Sequence, residues 1–192
     1  MTTCYVIASG PSLQGFDFDR LPDGYRIGAN KSAWIADCNA LVTIDKRFWR
    51  GFQDEIKAFN GGKYVTELVV DDQPRHGAHV SKRGRFKGLS ESLDELTGTN
   101  SGFAALNIAY LLGYKEIALL GFDFKWDGDK SHFHDGYRWQ ARNTSNMLPR
   151  WAREFDHTVE QFAAKGVNVI NFVGPNGSNV TAFPKRPLED LI

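Results

Sequence analysis

Short apolar runs recur along the chain, each stopped by glycine, proline or a small polar residue. Residues 3–9 (TCYVIAS), 25–30 (YRIGAN), 41–44 (LVTI), 63–70 (KYVTELVV), 115–124 (KEIALLGFDF) and 167–173 (VNVINFV) have the length and punctuation of buried strands. Helical patterns stand between them. Residues 32–40 (SAWIADCNA) suit a short helix. In 45–60, Phe48, Trp49, Phe52, Ile56 and Phe59 recur at helical spacing, with Asp45 as N-cap and Asn60-Gly61-Gly62 as the stop. Residues 100–114 (NSGFAALNIAYLLGY) are apolar almost all round, which predicts a buried helix capped by Asn100 or Ser101 and ended at Gly113. Residues 147–166 read as a long amphipathic helix, and 174–192 as a tail with a short C-terminal helix.

Such alternation implies right-handed crossovers and a mostly parallel sheet. The expectation is one Rossmann-like three-layer α/β nucleotide-binding domain over residues 1–192. Two polar stretches interrupt the alternation. Residues 71–99, with a short helix at 90–96, and residues 125–146 are expected to be long functional loops. In parallel sheets ligands bind beyond the carboxyl ends of the strands. The residues there are Ser9 to Ser12, Asn30, Asp45, Gly121 to Asp123 and Gly174 to Asn176.

Composition removes alternatives. The chain has 192 residues, 42% hydrophobic and 13% aromatic, enough for a packed core. Lys plus Arg and Asp plus Glu both number 23, so no global charge points to nucleic acid or an anionic membrane. The local basic run Arg75, Lys82, Arg83, Arg85 and Lys87 reads as a solvated face or a lid over an anion. Contact between residues 75–87 and a nucleic-acid backbone is the minor option. Cys4 and Cys38 have no metal-ligand spacing and read as reduced core thiols. Neither a leader pattern nor an apolar run of membrane-spanning length stands out. A cytoplasmic protein is expected. Trp139 and Trp151 leave an oligomer interface open.

The strand ends carry the candidate chemistry. Gly10-Pro11-Ser12 would bring backbone amides and a hydroxyl to a phosphate, or would form an ordinary strand-to-helix turn. Asn100-Ser101-Gly102 open the buried helix and would bind an anion, cap the helix, or both. Asp123, in GFDF, would meet a ribose hydroxyl or fix its own loop. Three readings compete for SHFHDG, which holds His132 and His134 near Asp127, Asp129 and Asp135. They are a general base, a divalent-metal cluster, and solvated loop residues. His76, His79 and His157 read as ordinary surface or helix residues.

GPSL near the N-terminus, Asn30 after the second strand, and SGFAALNIAYLLGYKEIALLGFDF resemble the bacterial lipooligosaccharide sialyltransferases. The same pattern is similar to the archaeal-type hydroxymethylpterin diphosphokinase-like family. HFHDG and GSNVTAFPKRPLEDL resemble a set of uncharacterised phage proteins most closely. The sialyltransferase resemblance implies that Gly10, Pro11, Ser12, Asn30, Asn100, Ser101 and Gly102 cradle a cytidine monophosphate donor. It also implies that His132 or His134 deprotonates an acceptor hydroxyl. Ser9, Asp45 and Gly121 complete the expected nucleotide-binding set with Asp123. The sialyltransferases have asparagine where Ser9 and Asp45 stand, an arginine aligned with Gly98, and a leaving-group tyrosine where Lys125 stands. Lys125 would neutralise a phosphate as a point charge.

The expected function is therefore a nucleotide-sugar-dependent glycosyltransferase, sialyltransferase-like, moving a sugar from a CMP-linked donor to a small-molecule or glycan hydroxyl. That reading requires no cofactor and no metal. The alternatives are a magnesium-dependent diphosphokinase acting on a hydroxymethyl group, and a non-catalytic phage protein that binds a nucleotide or a host partner. For the latter, the setting is the host cytoplasm.

Overall fold

The computed structural model describes residues 2–85, 88–135, 137 and 146–192. Its strands are β1 (Thr3–Ile7), β2 (Tyr25–Ala29), β3 (Ala40–Thr43), β4 (Gly62–Thr66), β5 (His79–Arg83), β6 (Glu95–Leu96), β7 (Glu116–Leu120), β8 (Asn168–Val173) and β9 (Lys185–Pro187). The helices are α1 (Ser32–Ile35), α2 (Lys46–Gly51), α3 (Gln53–Ala58), α4 (Glu67–Val70), α5 (Ser101–Leu111), α6 (Leu148–Arg153) and α7 (Val159–Ala164).

The strands form one sheet in the order β6-β5-β4-β3-β2-β1-β7-β8-β9, and each neighbouring pair is parallel. The chain builds outward from β1 to β6, crosses back through α5, and restarts with β7 on the other side of β1. The order therefore reverses between β1 and β7, where open α/β sheets place their ligands. Alternation along each strand divides the core in two. Cys4 and Val6 join Val42, Phe103, Leu106 and Phe155 under α5 to α7. Tyr5 and Ile7 join Leu41, Phe48, Trp49 and Ile56 under α1 to α4. The result is the expected three-layer Rossmann-like α/β architecture.

The mid-chain readings need correction. KYVTELVV is a strand only to Thr66; Glu67–Val70 turn into α4, which buries Val69 and Val70 and leaves Leu68 exposed. The 45–60 helix breaks at Phe52, whose φ of −131° and ψ of 38° separate α2 from α3. Residues 71–99 are not one loop. They hold β5 and β6, and Ser90 to Leu96 contain turns and β6 instead of a helix. The 147–166 helix tightens into a 3₁₀ segment, Glu154–Thr158. There Thr158 Oγ1 donates to the Phe155 carbonyl at 2.7 Å, a local bond that competes with regular helix. The tail contributes β9 and ends in a 3₁₀ turn, Leu188–Leu191. Both cysteines are buried and unpaired. No helix among the described residues is long and apolar enough to cross a membrane.

Candidate functional site

Gly10 continues the ladder at the switch point, its N–H donating to the Gly121 carbonyl at 2.9 Å. A 3₁₀ turn, Pro11–Leu13, follows. Its serine is fully engaged: Ser12 N–H and Oγ each donate to a different oxygen of Asp123, both at 2.7 Å. Asp123 is 1% exposed. Burial raises its carboxyl pKa, and the two Ser12 bonds pull it back down. A Cβ on Gly10 would lie 2.5 Å from Asp123 Oδ2 and from the Gly121 carbonyl, so this glycine is required by close approach.

Asn30 follows β2 at a φ of 55°, a left-handed position asparagine tolerates. Its Oδ1 accepts from Thr43 Oγ1 at 2.6 Å. Asp45 caps α2, accepting from the N–H groups of Arg47 at 2.8 Å and Phe48 at 3.3 Å. Asn100 caps α5 through Oδ1, which accepts from Phe103 N–H at 2.9 Å. Ser101 Oγ accepts from Ile44 N–H at 3.2 Å. Gly102 allows tight packing, since a Cβ there would lie 3.2 Å from Asn100 Oδ1 and from Phe122. By helix geometry the N–H groups of Ser101 and Gly102 have no partner within α5.

These elements surround two adjoining cavities of about 140 and 420 Å³. Asn30, Asn100, Ser101, Ser131, His132, Tyr137, Leu148 and Trp151 border both. Ser9, Gly10, Gly102, Gly121, Phe124 and Lys125 line the smaller; Asp45, Lys46, Arg47 and Thr99 line the larger. Pro11, Ser12 and Asp123 instead line a separate recess with Gln14, Asp127 and Gly174, which meets the smaller cavity at Lys125. The strand ends thus converge, but Ser12 and Asp123 face each other and not the central cavities.

The histidine loop is tied to this rim. Phe133 N–H donates to the Ser9 carbonyl at 3.1 Å, and the Ser9 and Ser32 hydroxyls lie 3.0 Å apart. His132 Nδ1 is 2.8 Å from Ser131 Oγ. Burial holds the His132 imidazole below the ordinary 6.5. His134 lies behind it, with ring centroids 5.7 Å apart, and does not line either cavity. Burial, assisted by repulsion from His132 and Lys31, pushes His134 down to about 4. Tyr137 packs 5.1 Å from both rings and hydrogen-bonds with Asn30 and Ser9; burial pushes its hydroxyl up to about 12. Among the described residues no three His, Cys, Asp or Glu side chains form a metal-binding group. His76 instead meets Gln53 Oε1 at 2.7 Å, and His79 meets the Leu93 carbonyl at 2.8 Å. Gly136, Lys87 and Trp139, all named from the sequence, lie outside the described residues.

Sequence reasoning missed Tyr137, Ser131, Leu148 and Phe124 on the cavity walls, and it read Trp151 only as a candidate for an oligomer interface. Trp151 is half-buried. Phe124, an aromatic at a φ of 49°, packs 5.5 Å from Phe155. The aromatic density just before and after SHFHDG was the available signal.

No family's sequence profile matches the chain, and no curated relative does. Solved structures do. The sialyltransferase CstII from Campylobacter jejuni, solved with the substrate analogue CMP-3FNeuAc, is 15% identical with a TM-score of 0.54, covering 97% of this chain and 87% of that one. The MAf glycosyltransferase from Magnetospirillum magneticum AMB-1 is 14% identical with a TM-score of 0.58, covering 97% of this chain. The chain spans about a third of that protein, 33% of its length. The chain shares a fold with these glycosyltransferases; neither is a pterin kinase or a phage protein.

Proposed function

We propose that this chain is a glycosyltransferase that moves a sugar from a CMP-linked donor to a hydroxyl acceptor. One observation carries the reading. His132, whose imidazole burial holds below its ordinary range, borders both cavities together with Asn100 and Ser101 at the start of α5. The donor phosphate lies against the Ser101 and Gly102 amides and Lys125, with Ser9, Gly10, Asn30 and Gly121 around the nucleotide. The acceptor enters from the larger cavity.

In that arrangement the tautomer with the proton on His132 Nδ1, shared with Ser131 Oγ at 2.8 Å, has the Nε2 lone pair to take the acceptor proton. The acceptor oxygen bonds to the anomeric carbon as the bond from that carbon to the phosphate oxygen breaks. Nucleoside monophosphate departs, its growing charge met by the α5 N-terminus and Lys125. The donor is a substrate, and no resident cofactor takes part.

A thermal-shift panel of CMP, a CMP-sugar, UDP and ATP, each with and without magnesium, tests the reading. A ligand bound only by the native state raises Tm by mass action, so CMP and the CMP-sugar are expected to stabilise without magnesium. Stabilisation by ATP alone, and only with magnesium, would replace the reading with diphosphate transfer. His132→Ala is expected to cut turnover by ~10²- to 10⁴-fold, the usual worth of a general base, with CMP affinity kept within about threefold. His134→Ala is expected to retain most of the turnover. Equal losses in both variants would remove His132 from the proton transfer.

A further inference from the structure

We infer that Glu154 is a positioning residue that sets the α5 entrance for ligand, fixing which way the Asn100 amide faces. The inference rests on the reading of that entrance as the phosphate site. Glu154 begins the 3₁₀ segment after α6 and is 5% exposed, next to the fully buried Phe155. A carboxylate in such a place is costly unless its oxygens are satisfied. They are. Oε2 accepts from Thr99 N–H at 3.2 Å and from Asn100 Nδ2 at 3.3 Å, and Oε1 accepts closely from Thr99 Oγ1. Arg83, at the end of β5, is its electrostatic neighbour.

The consequence runs through the asparagine. An ionised carboxylate accepts and never donates, so Glu154 must meet the NH₂ end of Asn100. That leaves Oδ1 for Phe103 N–H, the bond that caps α5. With that donor taken, the Ser101 and Gly102 N–H groups have no partner within α5, and both residues line the smaller cavity. Trp151, one turn before Glu154, borders both cavities. The same carboxylate therefore joins the α6 wall of the site to the α5 entrance.

Glu154→Gln keeps an acceptor: its Oε1 takes the place of Oε2 opposite Thr99 N–H and Asn100 NH₂, and its NH₂ donates to Thr99 Oγ1, a hydroxyl that both donates and accepts. Glu154→Leu keeps the bulk and removes both acceptors, so Thr99 N–H and the Asn100 NH₂ lose their partner and nothing from α6 holds the Asn100 amide to one face. Asn100→Asp sets a second carboxylate against Glu154, and adding Glu154→Gln relieves that repulsion with the summed charge of the two positions unchanged.

The test measures CMP affinity by calorimetry and amide hydrogen exchange at Phe103, well below each variant's Tm. Glu154→Leu is expected to weaken CMP by about tenfold, in line with loss of one cap, and to speed Phe103 exchange by a similar factor. Glu154→Gln is expected to keep affinity and exchange within about threefold of the parent. Should Glu154→Leu fail to fold, Asn100→Asp and its combination with Glu154→Gln make the comparison. Two carboxylates face each other in Asn100→Asp, and the added Glu154→Gln must raise affinity. Parental affinity and exchange in Glu154→Leu, a Glu154→Gln that loses as much as Glu154→Leu, or a double variant no better than Asn100→Asp, overturns the inference. If the parent protein itself binds no nucleotide, the proposed function fails instead. Phe103 exchange then decides the positioning role alone, with unchanged exchange refuting it.

Discussion

Gly10-Pro11-Ser12 and Asn100-Ser101-Gly102 are both short runs of small residues on the same rim of the sheet, yet they are built in opposite ways. In the first, the serine N–H and hydroxyl turn inward to one buried carboxylate, and the glycine is forced by contact with that carboxylate. In the second, the carboxylate of Glu154 grips the residues before the helix and leaves the first helical amides open. Small polar residues beyond a strand thus serve either to close a turn or to open a site. The position of the opposing carboxylate decides which.

The largest expected effect breaks the closed turn. Asp123→Ala strips both charge-assisted partners from Ser12 and is expected to cost about 3–5 kcal/mol, read from the denaturant midpoint. A loss below about 1 kcal/mol would mean the turn is held by other contacts. A paired comparison comes next. Ser12→Ala is expected to cost about 2 kcal/mol of stability and to leave CMP affinity within about threefold. Ser101→Pro, at the first helical position where proline is tolerated, deletes the N–H assigned to the phosphate and is expected to weaken CMP by about tenfold, with about 1 kcal/mol of stability lost along with the Ile44 N–H bond. Equal affinity losses in the two variants would erase the distinction between the turns.

A pH titration tests the histidine loop beside them. His134 has its folded pKa depressed from 6.5 to about 4, so the unfolded chain binds the extra proton first. The stability associated with its neutral form is whole above pH 6.5 and is lost as the pH falls through the window down to about 4. Tm should therefore drop across that interval, and less so in His134→Gln. A flat profile in the parent protein would show that the ring is not buried in solution.

Strands β1, β2, β3, β7 and β8 were legible because buried parallel strands are short apolar runs, and these lie in the middle of the sheet. β5, β6 and β9 were not. HVSKR leaves His79 and Lys82 in water, β6 is two residues long, and all of β9 is exposed. No apolar signal exists to read there. Around the cavities, Asn30 stood out as a polar residue beyond an apolar run, Ser101 and Gly102 as small residues opening an apolar helix, and His132 through SHFHDG. Glu154 did not, because it arrives from far along the chain. Its trace was nonetheless present: Trp151, Glu154, Phe155 and Thr158 follow helical spacing, which sets one acid on an otherwise apolar face. Ser12 and Asp123 mark where a linear reading stops. Each was read either as a ligand group or as part of its own turn, and only their meeting in space shows that they satisfy each other.

The two outer strands carry a consequence for how copies of this chain behave together. An open sheet ends in rows of unpaired backbone groups that can template a neighbour. Among the described residues one border ends in the two-residue strand Glu95–Leu96, which covers just the last two residues of β5, and the other is Lys185-Arg186-Pro187. The first is too short to seed a ladder; the second combines like-charge repulsion with a residue lacking an N–H. Stacking of whole molecules border to border into fibrils is therefore disfavoured at both margins.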